Sequence, residues 1–232
     1  MTEETSIPSH IGFILDGNRR WAKQHGLPVY EGHLAGYSAL KEVVLHAFER
    51  DVQYVSVYAF STENWKRSKE EVSHLMNLAL KIFKSDIKEI IKRQIRIKVF
   101  GTRDGLMESL KQAINEAEEV SKDLTGGTLI FCFNYGGRLE IAEAARKCVE
   151  DGLKPEAVTQ QALSERLYTP DVPDVDLIVR TSGEQRLSNF MLWRAAYSEF
   201  MFIEKYWPDM RAADVDGIIT EYQKRNRRFG GN

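Results

Sequence analysis

The chain has 232 residues, 43% of them hydrophobic and 28% charged, with a formal net charge of −2. That is enough apolar material for one sizeable core, and it carries no overall charge that would draw the protein to nucleic acid or to an anionic membrane. Cys132 and Cys148 stand in no metal-ligand spacing, the polar start Met-Thr-Glu-Glu-Thr-Ser is no signal peptide, and no apolar run nears the ~20 residues of a spanning helix. The expectation is a reduced, cytoplasmic protein folded as a single domain over residues 1–232, with no linker to divide it.

Along the chain, strand-like and helical patterns alternate. A strand over 10–16 precedes a helix over 32–50. A strand over 54–61 precedes the longest helix, over 69–93. Strands over 95–101 and 128–134 are followed by helices over 105–122 and 139–151, with a short helix over 160–167. Strands over 176–181 and 199–203 and a helix over 212–228 complete the series. Strands separated by helices of this length predict an α/β fold with a mostly parallel central sheet flanked by helices. In such sheets ligands bind beyond the carboxyl ends of the strands. On the longest helix Val72, Leu75, Met76, Ala79, Leu80, Phe83, Ile87 and Ile90 follow helical spacing. The stripe suits a core face or the wall of an apolar cleft, and spacing alone leaves both open.

The polar residues gather at strand ends. The first strand ends in Asp16-Gly17-Asn18-Arg19-Arg20-Trp21, and the second in Ser61-Thr62-Glu63-Asn64-Trp65-Lys66-Arg67. The strand near 180 ends in Arg180-Thr181-Ser182-Gly183-Glu184-Gln185-Arg186-Leu187-Ser188. In parallel strands these ends converge on one edge. Any one of the arginines reads as a solvated loop charge, Gly17 and Asn18 as a turn, and Trp21 and Trp65 as core. Three such clusters together read differently, because like charges gathered in one place need an anion to answer them. Arginine forks suit the oxygens of a diphosphate. Asp16 would repel that anion unless a divalent cation joins the two, and Mg²⁺ is held in this way by one or two carboxylates plus substrate phosphates.

Other phosphate chemistries lack their signatures. The chain has no G-x-x-x-x-G-K-[ST] and no G-x-G-x-x-G after a strand. A phosphatase of the D-x-D-G type would need an acid where Ile14 stands. His10, His25, His33, His46 and His74 form no zinc motif, and Asp-Asp-x-x-Asp does not occur.

The blocks "HIGFILDGNRRWA", "EGHLAG", "YAFSTENWKRSKEEV", "NYGGR", "DLIVRTSGEQRLSNFMLWRAAYSE" and "RRFGG", in this order from about His10 to Gly231, resemble the cis-prenyltransferases, the undecaprenyl diphosphate synthase family. The resemblance implies condensation of isopentenyl diphosphate with an allylic diphosphate, release of pyrophosphate, and Mg²⁺ as cofactor. It assigns the allylic diphosphate to Gly17, Asn18, Arg19, Arg20, Trp21, His33 and Arg67, and gives Asp16, Ser61 and Asn64 to catalysis. Trp65 packs by the substrates. Isopentenyl diphosphate goes to Arg180, Arg186 and Ser188, and the metal to Asp16 and Glu199. It further implies a homodimer, with Arg228 and Gly230 reaching the partner's isopentenyl diphosphate. An apolar tunnel between the sheet and the two long helices would take the product tail. A lipid product would also bring peripheral contact with a membrane.

This sequence departs from the family pattern in two places. Val29 stands where many members carry an arginine, and Arg19 where the bacterial long-chain enzymes often have glycine, so Arg19 is expected to stand in for the lost cation. Phe131 and Phe133, on one face of a strand, replace smaller residues. If that face bounds the tunnel they shorten the product; otherwise they are core. The leading expectation is a synthase of an undecaprenyl-type carrier lipid. The alternatives are a short-chain or irregular synthase and a non-catalytic partner subunit, against which Asp16, Asn64, Arg186, Ser188 and Glu199 all count.

Overall fold

Every residue of the first strand, β1 (His10–Ile14), is buried, as befits a strand inside a parallel sheet covered on both faces. The computed structural model describes residues 7–225. β1 lies within a six-stranded sheet with β2 (Tyr54–Ser61), β3 (Arg96–Phe100), β4 (Thr128–Tyr135), β5 (Leu177–Arg180) and β6 (Glu199–Phe202), in the order β3-β4-β2-β1-β5-β6. All five pairings are parallel. The expected "mostly parallel" sheet is therefore wholly parallel among the described strands.

The order places the site. From β1 the chain moves to β2 on one side, and from β5 it moves to β6 on the other. β1 and β5 are hydrogen-bonded neighbours, Ile14 beside Arg180. Connections that leave adjacent strands in opposite directions open a crevice at their carboxyl ends, where ligands of such sheets bind.

The helices are α1 (Asn18–Gln24), α2 (Val29–Glu49), α3 (Lys69–Lys81), α4 (Ile87–Lys92), α5 (Glu108–Ser121), α6 (Gly137–Glu150), α7 (Gln160–Ser164) and α8 (Ala212–Gln223). On one sheet face Phe13, Val57, Phe131 and Val179 pack with Val43, Phe83, Leu110 and Ile218. On the other, Ile14, Ile130, Cys132 and Ile178 pack with Phe190 and Met191. Phe131 and Phe133 thus share the α2–α3 face, as their spacing requires.

Three differences from the sequence expectation are informative. The helix over 69–93 is continuous in course but holds a π-helical turn at Ile82–Asp86 between α3 and α4. Hydrophobic spacing tolerates the one extra residue, so periodicity did not reveal it. α2 starts three residues before the expected 32, after Pro28, whose fixed φ of −58° is compatible with a helix start. α1 was not foreseen at all. It is seven residues long and lies against α2, where a Cβ on Gly32 would stand 2.2 Å from the Asn18 carbonyl oxygen. Glycine at 32 is what lets α1 dock.

At the start of β1, His10 is fully buried. One ring nitrogen meets Ser56 Oγ at 2.8 Å and the other the Pro173 carbonyl at 3.0 Å. Burial drives its pKa down to about 4, with Arg194 adding to the effect against the opposing pull of the Pro173 carbonyl and Asp176. The native state therefore resists a proton that the unfolded chain accepts from about pH 6.5 downward. Stability is held above that pH, falls as pH drops toward 4, and loses on the order of 3 kcal/mol to this group in all. Urea unfolding at pH 7 and pH 4.5 should show the loss, and the slope should shrink in His10→Gln.

Candidate active site

The site begins with a clasp between strands. Asp16 follows β1, and its backbone N–H donates to Thr181 Oγ1 (3.1 Å), which in turn donates to the Asp16 carbonyl (2.7 Å). Arg180, the last residue of β5, donates from Nη2 to Asp16 Oδ2 at 2.8 Å. Its Nη1 reaches Ser188 Oγ at 2.8 Å and the Arg186 carbonyl at 2.5 Å. Arg180 is 4% exposed. Burial alone would raise the Asp16 carboxyl, but the hydrogen bond and charge of Arg180, with Arg20 and the Gly17 N–H, outweigh it and hold the pKa below the ordinary value. Asp16 is therefore an ionised carboxylate at neutral pH.

Gly17 turns the chain from β1 into α1 with φ +106°, and a Cβ there would stand 2.8 Å from the Tyr206 ring. Asn18 then opens α1, with Oδ1 buried and unpartnered. Arg20 donates to Ser182 Oγ (2.6 Å), pairs with Glu184 (3.1 Å) and Asp16 (3.3 Å), and lies over the Tyr206 ring. Arg186 pairs with Glu184 at 2.5 Å. His33 on α2 and Arg67 before α3 both meet Glu71 Oε1, at 3.2 and 2.9 Å, and Arg19 comes within 4.0 Å of it. Burial first, then Arg67 and Arg19, lower the His33 pKa against the opposing effect of Glu71. Asn64 accepts the Ser61 N–H at Oδ1 (3.0 Å), which leaves its amide N–H groups as what it can present to a ligand.

These residues surround a cleft of about 900 Å³ lined by Asp16, Gly17, Asn18, Arg19, Arg20, Lys23, Val29, His33, Asn64, Arg67, Glu184 and Arg186, among others. Leu15, Asn18, His33, Ala59 and Leu75 also line a smaller, mostly apolar pocket of about 80 Å³. Tyr37, Leu40, Leu78, Ile82, Phe83, Phe131, Phe133 and Trp207 close it. It lies between the sheet and the α2 and α3 helices, where a tunnel was expected. The stripe on the long helix serves both of its possible purposes: Leu75, Ala79 and Phe83 face the pocket, and Ile87 and Ile90 are core.

Other expected residues stand apart. The Trp21 indole donates to Asp209 (2.7 Å) and stacks on His25. Trp65 packs edge-on against Phe60 and donates to Asn134 Oδ1 at 2.7 Å. Glu199 begins β6 beside Leu177, three residues short of the level of Arg180, and pairs with Arg225 at 3.0 Å. At roughly 3.3 Å per residue it is about 10 Å from that strand end within its own chain. Arg228 and Gly230 lie outside the described residues. Sequence reasoning missed Glu71, Thr181 and Glu184. The i,i+4 spacing of Arg67 and Glu71 was the signal for the first.

The family model Prenyltransf, "Putative undecaprenyl diphosphate synthase", matches residues 14–230. An isoprenyl transferase of Agrobacterium fabrum is 45% identical over 99% of this chain and 94% of its own length. The trans,polycis-polyprenyl diphosphate synthase ((2Z,6E)-farnesyl diphosphate specific) of Thermobifida fusca is 47% identical over 97% of this chain and 81% of its own. The crystal structure of lavandulyl diphosphate synthase from Lavandula x intermedia, in complex with dimethylallyl diphosphate, superposes with a TM-score of 0.94 at 37% identity, covering 99% of this chain and 100% of that one. The parallel sheet and the cationic cleft at its β1/β5 ends are those of an isoprenyl diphosphate synthase. The chain belongs to the undecaprenyl diphosphate synthase family and is a cis-type prenyltransferase that elongates prenyl chains.

Replacing Gly17 by alanine tests the turn that carries the cleft. A side chain at that φ, set against Tyr206, should cost on the order of 1–3 kcal/mol. The melting temperature of Gly17→Ala should fall, and its turnover should fall further than the lost stability explains.

Proposed function

We propose that the 900 Å³ cleft binds the diphosphate of an allylic primer with its tail in the adjoining apolar pocket, and that isopentenyl diphosphate binds beside it. The observation that carries this reading is the adjacency of the two spaces. A cleft lined by five cationic side chains, Arg19, Arg20, Lys23, Arg67 and Arg186, shares Leu15, Asn18, His33, Ala59 and Leu75 with an adjoining apolar pocket. A diphosphate head on a hydrocarbon tail matches both.

In the reaction the allylic C–O bond breaks and pyrophosphate leaves with the electron pair. The terminal methylene carbon of isopentenyl diphosphate bonds to the allylic carbon, and a proton is lost as the new cis double bond forms. Gly17, Asn18, Arg19, Arg20, His33 and Arg67 answer the charge that grows on the leaving group. Asp16, Ser61 and Asn64 serve the departing proton. Arg186 and Ser188 hold isopentenyl diphosphate, with Arg180 behind them. Mg²⁺ suits the ionised Asp16, and among the described residues no group of three or more metal-ligating side chains suggests a site complete without substrate. When bound, the ion neutralises charge on the diphosphate. The pocket walls exclude water from the electron-poor carbon.

The homodimer belongs to the same proposal. β6 is an edge strand on which Phe200 and Phe202 are exposed and stacked on one face, beside Glu199. Docking a second copy there would cover the aromatic pair, and a partner is what could bring Glu199 to a metal. Membrane contact is proposed as peripheral, through the lipid product. No helix among the described residues is long and apolar enough to cross a bilayer.

The pocket favours a short product over a long carrier lipid. Phe131 and Phe133 both line it, packed against Phe83 and Phe60 respectively.

The deciding assay supplies Mg²⁺, labelled isopentenyl diphosphate and, separately, dimethylallyl, geranyl and farnesyl diphosphates, with products sized by mass spectrometry after dephosphorylation. Label should enter a prenyl product with at least one primer, and Asp16→Asn should cut turnover by about 100-fold or more. Absence of product from every primer would refute the reading. Phe133→Ala should lengthen the product by one or more isoprene units; an unchanged distribution would return both phenylalanines to a purely packing role.

A further inference from the structure

Glu71 is an acid set among the cations of the cleft, and the chemistry of the reaction makes no use of it. It lies in the first turn of α3, where its N–H donates to the capping Ser68 Oγ at 3.2 Å. Its Oε1 lies 2.9 Å from Arg67 Nη1, 3.2 Å from His33 Nε2 and 4.0 Å from Arg19 Nε. Those three side chains come from the turn before α3, from α2 and from α1, and all three line the cleft. Glu71 and His33 are nearly enclosed, at 10% and 11% side-chain exposure, whereas Arg67 and Arg19 open outward at 29% and 61%.

We infer that Glu71 is a positioning residue, whose carboxylate draws Arg67, His33 and Arg19 to one point and holds the diphosphate cradle in its binding shape before a ligand arrives. The inference rests on the reading of this cluster as the allylic diphosphate site. Without an anion among them the two guanidinium groups repel, and their long side chains spread into solvent. A diphosphate must then order them as it binds, at a cost in rotamer freedom. With Glu71 in place much of that ordering is present in the folded chain. Arg67 and Glu71 are one helical turn apart, so the pair also fixes how Arg67 leaves the start of α3. A carboxylate so near the cleft also repels an incoming diphosphate. The two effects have opposite signs, and position decides between them. Glu71 is the more enclosed partner of both arginines, so their positive charge lies toward the ligand and screens it.

The test is binding of inorganic pyrophosphate with Mg²⁺, measured by calorimetry on the full chain, together with steady-state kinetics. Glu71→Gln keeps the shape and removes the charge. Pyrophosphate should bind about tenfold more weakly and KM for the allylic diphosphate should rise in step, with KM for isopentenyl diphosphate within about twofold of the parent. Glu71→Asp, which keeps the charge on a shorter arm, should recover part of the loss. In an Arg67→Ala background the Gln substitution should cost less than about threefold, because its partner is gone. Tighter pyrophosphate binding by Glu71→Gln would mean that the carboxylate competes with the ligand, and would overturn the inference. So would unchanged binding, an equal rise in both KM values, or full additivity with Arg67→Ala. If the parent protein bound no pyrophosphate, the diphosphate reading itself would fall, and this inference with it. Should Glu71→Gln melt well below the parent, Glu71→Asp alone in the Arg67→Ala cycle supplies the same coupling.

Discussion

The strand-end architecture depends on one constraint: β1 and β5 must be held together where their connections part. Adjacent parallel strands that send their chains opposite ways leave a gap at the carboxyl edge, and backbone pairing ends there. The Thr181 hydroxyl bridges that gap to both polar groups of the Asp16 backbone, and Arg180 bridges it to the Asp16 carboxylate. A buried guanidinium without its anion is far costlier than the same group in water. The pair therefore fixes Asp16, and through Gly17 it fixes the start of α1. The loop that carries Arg186 and Ser188 hangs from the other side of the same guanidinium. One arginine thus sets the spacing between the two halves of the cleft.

The cations around that clasp are balanced within the chain. Arg20 and Arg186 share Glu184, Arg20 and Arg180 share Asp16, and Arg67 has Glu71. A diphosphate bound there, as proposed, would exchange partners with resident carboxylates and would not fill a bare positive hole. This explains how a protein of net charge −2 can gather so many arginines without an overall electrostatic signature. It also explains the low exposure of Arg180 and Arg67, at 5% and 29% of their side chains, since a paired guanidinium can be partly buried where a lone one cannot.

Much of this was legible in the sequence, for reasons particular to each element. Alternating strand and helix patterns carried the sheet, because β1, β2, β4 and β5 are buried enough to be written mostly in apolar residues, and edge strand β3 alternates charged with buried apolar ones. Convergence of Asp16, Asn64, Arg67 and Arg186 followed from parallel strands alone. The features that failed to show have equally physical causes. α1 is short and polar at its start, and its packing depends on Gly32, fourteen residues from Asn18, so no local periodicity announces it. The block "NYGGR" carries part of the family resemblance without showing what it does. In the fold Asn134 anchors Trp65, and the N–H groups of Gly137 and Arg138 donate to Asn189, so it braces the neighbouring loops. The position of Glu199 depends on strand register, which a hydrophobic pattern does not record across a six-stranded sheet.

The π-helical turn at Ile82–Asp86 has a consequence for how such a protein can vary. A π turn is in effect one residue inserted into an α-helix, and each inserted residue rotates the remainder of the helix by about 100°. Ile87 and Ile90, after the turn, are packed in the core, whereas Leu75 and Ala79, before it, line the pocket. The turn lies where the pocket-lining part of a single helical course gives way to its core-anchored part. A one-residue insertion or deletion on the pocket side can be absorbed by winding or unwinding this turn, with the distal anchor still seated. The length of the wall is free to drift across descendants while the scaffold that holds it stays the same.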